Sequence, residues 1–266
     1  MFFFSILASC SLPIVKPTPE TLPQISPYIS ADEAVEALTA EHDKIENLKG
    51  FVKINTSDLE GKTTGSISGY LAFKNPDKVR FSYIGPFGIT LFEVVIDGNE
   101  MVLYSPQEMT AYVGTTANKE TEGFSGSENI FSPQSLKTLF SKPIGEKFLI
   151  ENLANESVLY GTIETESGCE IIEKTLISRV EMRPESKERY FGGVAISRMT
   201  YLEYLDIDGI SVPTIITIDD LVGGDSIKIA ISNINLNGTI ADDAFDTKVE
   251  GPWNVKSLDE FVPLGF

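Results

Sequence analysis

The sequence predicts a mainly β protein: one curled antiparallel sheet, with two to three helices over an apolar concave face. Three observations predict it. From Phe51 onward, apolar residues recur with period two in about twelve segments, each bounded by Gly, Pro, Asn or Asp. Twelve strands exceed what a flat twisted sheet usually carries, so the sheet should curl and acquire a concave side. Helical spacing is confined to two stretches, which leaves little other mass to fill that concavity and makes these stretches its natural lids.

The first helix is expected in "SADEAVEALTAEHDKIENLKG". There Ser30 and Glu33 form a capping box, Val35, Leu38, His42, Ile45 and Leu48 share one face, and Gly50 ends the run. Six strands follow, from "FVKINTS" through "GSISGYLAFKN", "KVRFSYI", "ITLFEVVIDG" and "EMVLYSP" to "EMTAYVGT". "ITLFEVVI" is apolar on both parities, as a strand covered on both sides would be. A polar stretch from Thr115 to Asn129 leads to a short second helix in "SPQSLKTLFSKPIG", with Ser132 as N-cap and Pro133 at the first helical position. Strands resume with "KFLIENL", "SVLYGTIET" and "CEIIEKTLISRVEMR". After a charged turn through Pro184 and Lys187 come "AISRMTYLEYLD", "GISVPTIITIDDL" and "SIKIAISNINLN". In the last of these, Ile227, Ile229 and Ile231 share one parity and Ile234 and Leu236 the other, which places a bulge near Asn233. No composition break divides residues 30–266, so they are read as a single domain.

Between two strands lies "YIGPFGI". Its Gly85, Pro86 and Gly88 spell a tight turn, yet Phe87 occupies the tip, where an aromatic ring gains nothing from burial. Either the ring has a partner outside the domain, or it folds back onto the sheet as ordinary packing.

The 266 residues, 42% of them hydrophobic, suffice for a packed core, and the net charge of −18 speaks against nucleic acid and against anionic membrane surfaces. Membrane contact then has to be hydrophobic or covalent. The opening "MFFFSILASC" is too short to span a bilayer and ends in small residues before a cysteine. Leu7-Ala8-Ser9-Cys10 resembles a bacterial lipobox. On that reading, residues 1–9 are a truncated lipoprotein signal and Cys10 is the lipidated N-terminus, carrying diacylglycerol and an N-acyl chain. An apolar strand, or a secretory signal with a chance cysteine, are the alternatives. Pro13, Pro17, Pro19, Pro23 and Pro27 make 10–29 a stiff tether. Cys169 is then a free thiol near a turn; a Cys10–Cys169 disulfide is the alternative.

Catalytic and metal motifs are expected to be absent. His42 has no second His or Cys at ligand spacing and reads as a packing residue. Gly61-Lys62-Thr63 lacks the glycine a phosphate loop needs five positions earlier. Asp219-Asp220 and Asp242-Asp243 read as solvated loop charges, with a hydrolase built on them a remote alternative.

The lipobox cysteine, the tether, the helix running into "NLKGFVKI", "VRFSYIGPFGITLFEVVIDGNEMVLYSP", "SPQSLKTLFSKPIG" and the late "DDAFDTKVEGPWNV" together resemble the LolA/LolB family of periplasmic lipoprotein carriers and receptors, LolB-like receptors above all. The resemblance implies an incomplete, curled β-barrel with helices over its mouth and a cavity for acyl chains. It also implies that the turn Gly85, Pro86, Phe87 and Gly88 hands cargo to a membrane. The segment from Arg183 to Gly193 is an insertion relative to that pattern.

The expected function is thus a lipid-anchored, non-enzymatic carrier or receptor on the periplasmic face of a bacterial outer membrane. It would be a monomer without cofactors, taking acyl chains from a LolA-like donor. Cavity candidates are Val35, Leu38, Leu71, Phe73, Phe81, Phe92, Val94, Leu136 and Leu139. The rival expectation is a structural envelope lipoprotein that docks another protein and binds no lipid.

Overall fold

A computed structural model describes residues 28–115, 141–166 and 168–261. One α-helix is present among them, α1 (Ala31–Asp43), together with β1 (Asn47–Ser57), β2 (Thr63–Lys74), β3 (Lys78–Ile84), β4 (Thr90–Asp97), β5 (Glu100–Ser105), β6 (Thr110–Thr115), β7 (Lys147–Asn152), β8 (Glu156–Thr165), β9 (Gly168–Ser178), β10 (Pro184–Phe191), β11 (Val194–Ile207), β12 (Ile210–Asp220), β13 (Ser226–Leu236) and β14 (Asn254–Ser257). All fourteen strands form one open sheet in the order β14-β6-β5-β4-β3-β2-β1-β13-β12-β11-β10-β9-β8-β7, antiparallel except for the β14–β6 pair.

The expected capping box is present: Ser30 Oγ accepts from the Glu33 amide, and the Glu33 carboxylate accepts from the Ser30 amide at 2.7 Å. The helix is shorter than expected, ending at Asp43 instead of Gly50. Ile45 and Leu48, assigned above to its apolar face, are buried in the sheet core, because β1 already begins at Asn47 and pairs Leu48 with Phe73 and Leu236. The second expected helix begins outside the described residues, and the described part, 141–145, is not helical.

Two strands were not foreseen. The "charged turn" after Pro184 is the strand β10, whose "ESKERY" has no apolar alternation to betray it. Lys187, opposite Met199 and Thr175, points to the buried side. The other is β14, too short to register as a period. The bulge near Asn233 is where it was expected: Phe51 pairs with Ser232 and Lys49 with Asn235, so β13 has one residue extra, and Asn233 adopts a left-handed φ of 52°.

Alternation defines an inner, buried face. Val52, Ile54, Leu71, Phe73, Phe81, Ile96, Ile216 and Ile229 form one continuous cluster there. On the β7–β9 side, α1 lays Ala34 and Leu38 onto Leu159 and Ile177. The segment Ser141–Gly145 lies against the same face. Ile144 donates its amide to Glu173, Lys187 Nζ donates to the Ser141 carbonyl, and the backbone passes so close to Gly161 that a Cβ there would sit 1.9 Å from the Ile144 oxygen. Burial pushes the Lys187 ammonium below its usual range, against an upward pull from the Glu173 carboxylate.

The antiparallel order puts the turns β1–β2, β3–β4, β5–β6, β8–β9, β10–β11 and β12–β13 at one end of the sheet. The chain enters the domain at the other. There the Ile29 carbonyl accepts from Asn152, the last residue of β7, and the Tyr28 ring stacks beneath Arg179 at 4.4 Å.

Candidate functional site: the inner face and the Phe87 turn

A single 3-10 turn, Pro86–Gly88, joins β3 to β4. The Gly85 amide donates to the Ile89 carbonyl at 2.9 Å and closes the loop. A side chain at Gly85 would force Leu91 to shift, because its Cβ would lie 2.6 Å from the Leu91 side chain. Phe87 is 98% exposed and sits at φ 65°, ψ 15°. That left-handed conformation costs a non-glycine residue roughly 1 kcal/mol. A bulky apolar residue is therefore held at full exposure on a backbone better suited to glycine, so the alternative of folding back onto the sheet does not hold.

Beneath this turn, Tyr83 and Phe92 share the inner face and stack at 5.3 Å. Phe261, reached through the short β14 and the turn after it, packs edge-on against Phe92 at 6.5 Å and against Tyr112 at 5.2 Å. On the outer face Glu93 accepts from Arg80 at 2.8 Å and from Ser82 at 2.7 Å, which fixes the β3–β4 pair below the turn.

Of the candidate cavity residues, the structure brings Leu71, Phe73, Phe81, Phe92 and Val94 together on the inner face, whereas Leu38 and Val35 belong to the separate cluster beneath α1. Leu136, Leu139 and Cys10 lie outside the described residues. Packing on the inner face is graded along β2–β4 only. There Phe73, Val79 and Ile96, toward the far end, are fully buried; Ile67, Tyr83, Phe92 and Val94, toward the Phe87 end, are half-buried. On β13 it runs the other way, with Ile227 fully buried at the Phe87 end and Ile234 and Leu236 half-buried at the far one. Leu71 and Phe81 are closed off by their neighbours rather than lining a void. One hollow, about 340 Å³, opens on the outer face between Phe51, Tyr70 and Arg80. Another, about 450 Å³, lies at the seam between α1 and Phe148, where Val35 meets Asp32, Glu36 and Asp43. Sequence reasoning missed Tyr83, Tyr112 and Phe261. Tyr83 could have been found by its parity with Phe81; nothing local marks Phe261.

Of the acidic pairs, Asp242 and Asp243 are solvated as expected, whereas Asp220 is not. Asp220 is buried and accepts from the Val222 and Gly223 amides at 2.9 and 2.8 Å, holding the β12–β13 turn. Asp242 pairs with Lys74 at 2.7 Å, and the bonded ammonium keeps its carboxyl below the usual range. His42 Nδ1 lies 3.2 Å from Asp43. Cys169 is exposed, with a free thiol.

No protein-family model and no curated protein matches this sequence. Solved structures match its fold. A putative outer membrane lipoprotein-sorting protein domain from Vibrio parahaemolyticus is 14% identical at TM-score 0.61, covering 81% of this chain and 97% of its own. A DUF1329 family protein from Desulfovibrio piger is 13% identical at TM-score 0.59, covering 82% and 97%. A LolA superfamily protein from Nitrosomonas europaea is 15% identical at TM-score 0.57, covering 82% and 98%. At such identities the likeness is one of fold: a single open, curled sheet with a helix on its inner side, as in the LolA superfamily.

Proposed function

We propose that this protein is a lipid-anchored, non-enzymatic carrier or receptor of the bacterial cell envelope. In this reading it binds acyl chains of lipoproteins or lipids on the inner face of its sheet and delivers them to the outer membrane by contact, as a LolB-like receptor would. The observation that carries the reading is the pairing of a fully exposed Phe87 with the inner side chains of β2–β4 directly beneath it, which pass from fully buried Phe73, Val79 and Ile96 to half-buried Ile67, Tyr83, Phe92 and Val94 toward the turn. Tyr83, Phe92 and Val94 form the mouth, and the chain end of the cargo slides between them toward Phe81 and Leu71.

Contact delivery follows from magnitudes. Each buried methylene is worth about 0.8 kcal/mol, so one long acyl chain is held by roughly 10 kcal/mol or more, and release through water is extremely slow. A Phe entering a bilayer contributes about 1.5–3 kcal/mol, enough to orient the mouth without trapping the protein. The solved lipoprotein-sorting domain with the same fold supports the reading by analogy. The test is uptake of a fluorescent fatty acid by the protein. Saturable micromolar binding, displaced by a lipopeptide, supports it; absence of binding sinks it.

The close packing of Leu71, Phe73 and Phe81 favours a second reading, an envelope lipoprotein whose filled domain docks another protein. A stoichiometric protein partner with no extractable lipid would favour that one.

A further inference from the structure

We propose that the β10–β11 tip, Phe191-Gly192-Gly193-Val194, is a second membrane-inserting prong, acting together with the Phe87 turn along one apolar lip of the sheet. This rests on the carrier reading only for what the docking is used for; the docking itself stands on the geometry of the turns.

Gly192 and Gly193 both have positive φ, 56° and 76°, which makes a two-residue hairpin and sets Phe191 and Val194 side by side as its last cross-strand pair. Phe191 is 80% exposed and Val194 is exposed beside it. Along β10, Phe191 shares parity with Lys187, which is buried on the inner face, so the ring stands on the inner lip.

Between the two prongs, two further turns carry apolar tips. The four hairpins β3–β4, β1–β2, β12–β13 and β10–β11 follow one another at this end, and each presents a large exposed apolar side chain. Leu59 (77% exposed) and Val222 (62%) are the middle two. Neighbouring turns touch, since a Cβ on Gly224 would meet Leu59 at 1.9 Å. At the other end, the β2–β3, β4–β5 and β11–β12 turns consist of Asn75-Pro76-Asp77, Gly98-Asn99 and Asp208-Gly209, and the β7–β8 and β9–β10 turns expose Leu153 and Val180 to only 41% and 40%. The two ends differ in degree: the turn tips at the lip expose their apolar side chains by 62–98%, those at the other end by about 40%.

The partner that fits is a zwitterionic bilayer. The prongs are separate points, about 29 Å apart along the sheet at ~4.8 Å per strand, with polar residues such as Asp58, Glu60 and Asp225 between them. A protein partner would call for one contiguous patch, whereas a bilayer accepts several shallow insertions at a common level. The net charge of −18 and those acids disfavour anionic lipid.

The experiment is flotation of the full chain carrying Cys10→Ser with phosphatidylcholine vesicles, with fatty-acid uptake read in the same samples. Phe191→Glu is expected to lower the bound fraction about tenfold, as Phe87→Glu does, and the double variant to abolish binding. Leu205→Glu, exposed on β11 away from the lip, should bind as the parent does. An unchanged thermal midpoint for Phe191→Glu shows that the fold is intact. Parent-like flotation of Phe191→Glu overturns the second prong, whatever uptake shows. Absence of uptake together with prong-dependent flotation overturns the carrier reading and upholds the lip.

Discussion

Tyr83 and Phe92 lie face to face across the β3–β4 pair, their rings 5.3 Å apart and inclined by 21°, directly below the turn that exposes Phe87. The stack braces the two strands at the point where the backbone leaves the sheet, so the prong above it stands on a rigid base.

Phe87→Gly separates the backbone cost of the prong from its use. Removing a left-handed Phe relieves about 1 kcal/mol of strain, partly offset by the entropy of an added glycine. Thermal unfolding should show a variant as stable as the parent or up to about 1 kcal/mol more so, while vesicle flotation falls. A clear loss of stability would mean that the ring packs on the domain after all.

Val94→Trp tests the mouth. Val94 is half-buried on the inner face beside Phe81 and Leu103, and extra bulk there should fill the gap that cargo needs. Fatty-acid binding should drop at least tenfold, with near-parental circular dichroism and a stability loss of about 1–3 kcal/mol from overpacking. Undiminished binding would move the cargo path elsewhere.

Gly161→Ala tests how the Ser141–Gly145 segment is held. The added methyl would lie 1.9 Å from the Ile144 carbonyl oxygen, closer than any real contact, and both partners are backbone. Denaturant unfolding should show a loss of about 2–3 kcal/mol, and amide exchange should quicken at Ile144, whose N–H is bonded to Glu173. Parental stability would mean that this segment is not docked on β8.

Alkaline pH should unfold the protein through its tyrosines. Desolvation, then the bond to Glu188, pushes the Tyr190 phenol up to about 12; burial also raises Tyr201 and Tyr204. Unfolded phenols titrate near 10. The folded state holds those protons longer, so this contribution is complete below pH 10 and is lost as pH rises toward 12. Lys187 acts in the opposite sense. Its folded value is depressed, so stability from this group increases as pH climbs through that value toward the unfolded 10.5. Melting temperatures of the parent and of Lys187→Met across pH 8–12 should diverge below pH 10 and fall together above it.

Much of the sheet was legible because half-buried strands carry their own period: most of β1 to β9 and β11 to β13 alternate, β4 announced itself as an apolar run on both parities, and the bulge at Asn233 showed as a change of parity. What escaped was polar or short. β10 buries Lys187 on the inner face where an apolar residue would have announced a strand, and the cost is met by a carbonyl from a segment 46 residues away. The end of α1 was misjudged because Ile45 and Leu48 continue the helical spacing by accident while belonging to the chain that enters β1. For the site, Phe87 was visible as an apolar residue in a turn, whereas Phe261 joins Phe92 and Tyr112 only through the fold. Phe191 was hidden inside a segment taken for a charged turn.

Tyr28 and Ile29 are clamped by Arg179 and Asn152 at the pole remote from Phe87. On the proposed anchoring through Cys10, a leash leaving from there would start on the wrong side for the lip to reach the bilayer holding that lipid, unless it doubled back along the whole domain. The fourteen residues of β11 measure about 46 Å, and the roughly 18 residues from Cys10 to Tyr28 stretch to at most about 60 Å. On that proposal the domain would turn back onto its own membrane with little slack, and deleting half of the leash would leave it able to reach only a facing one.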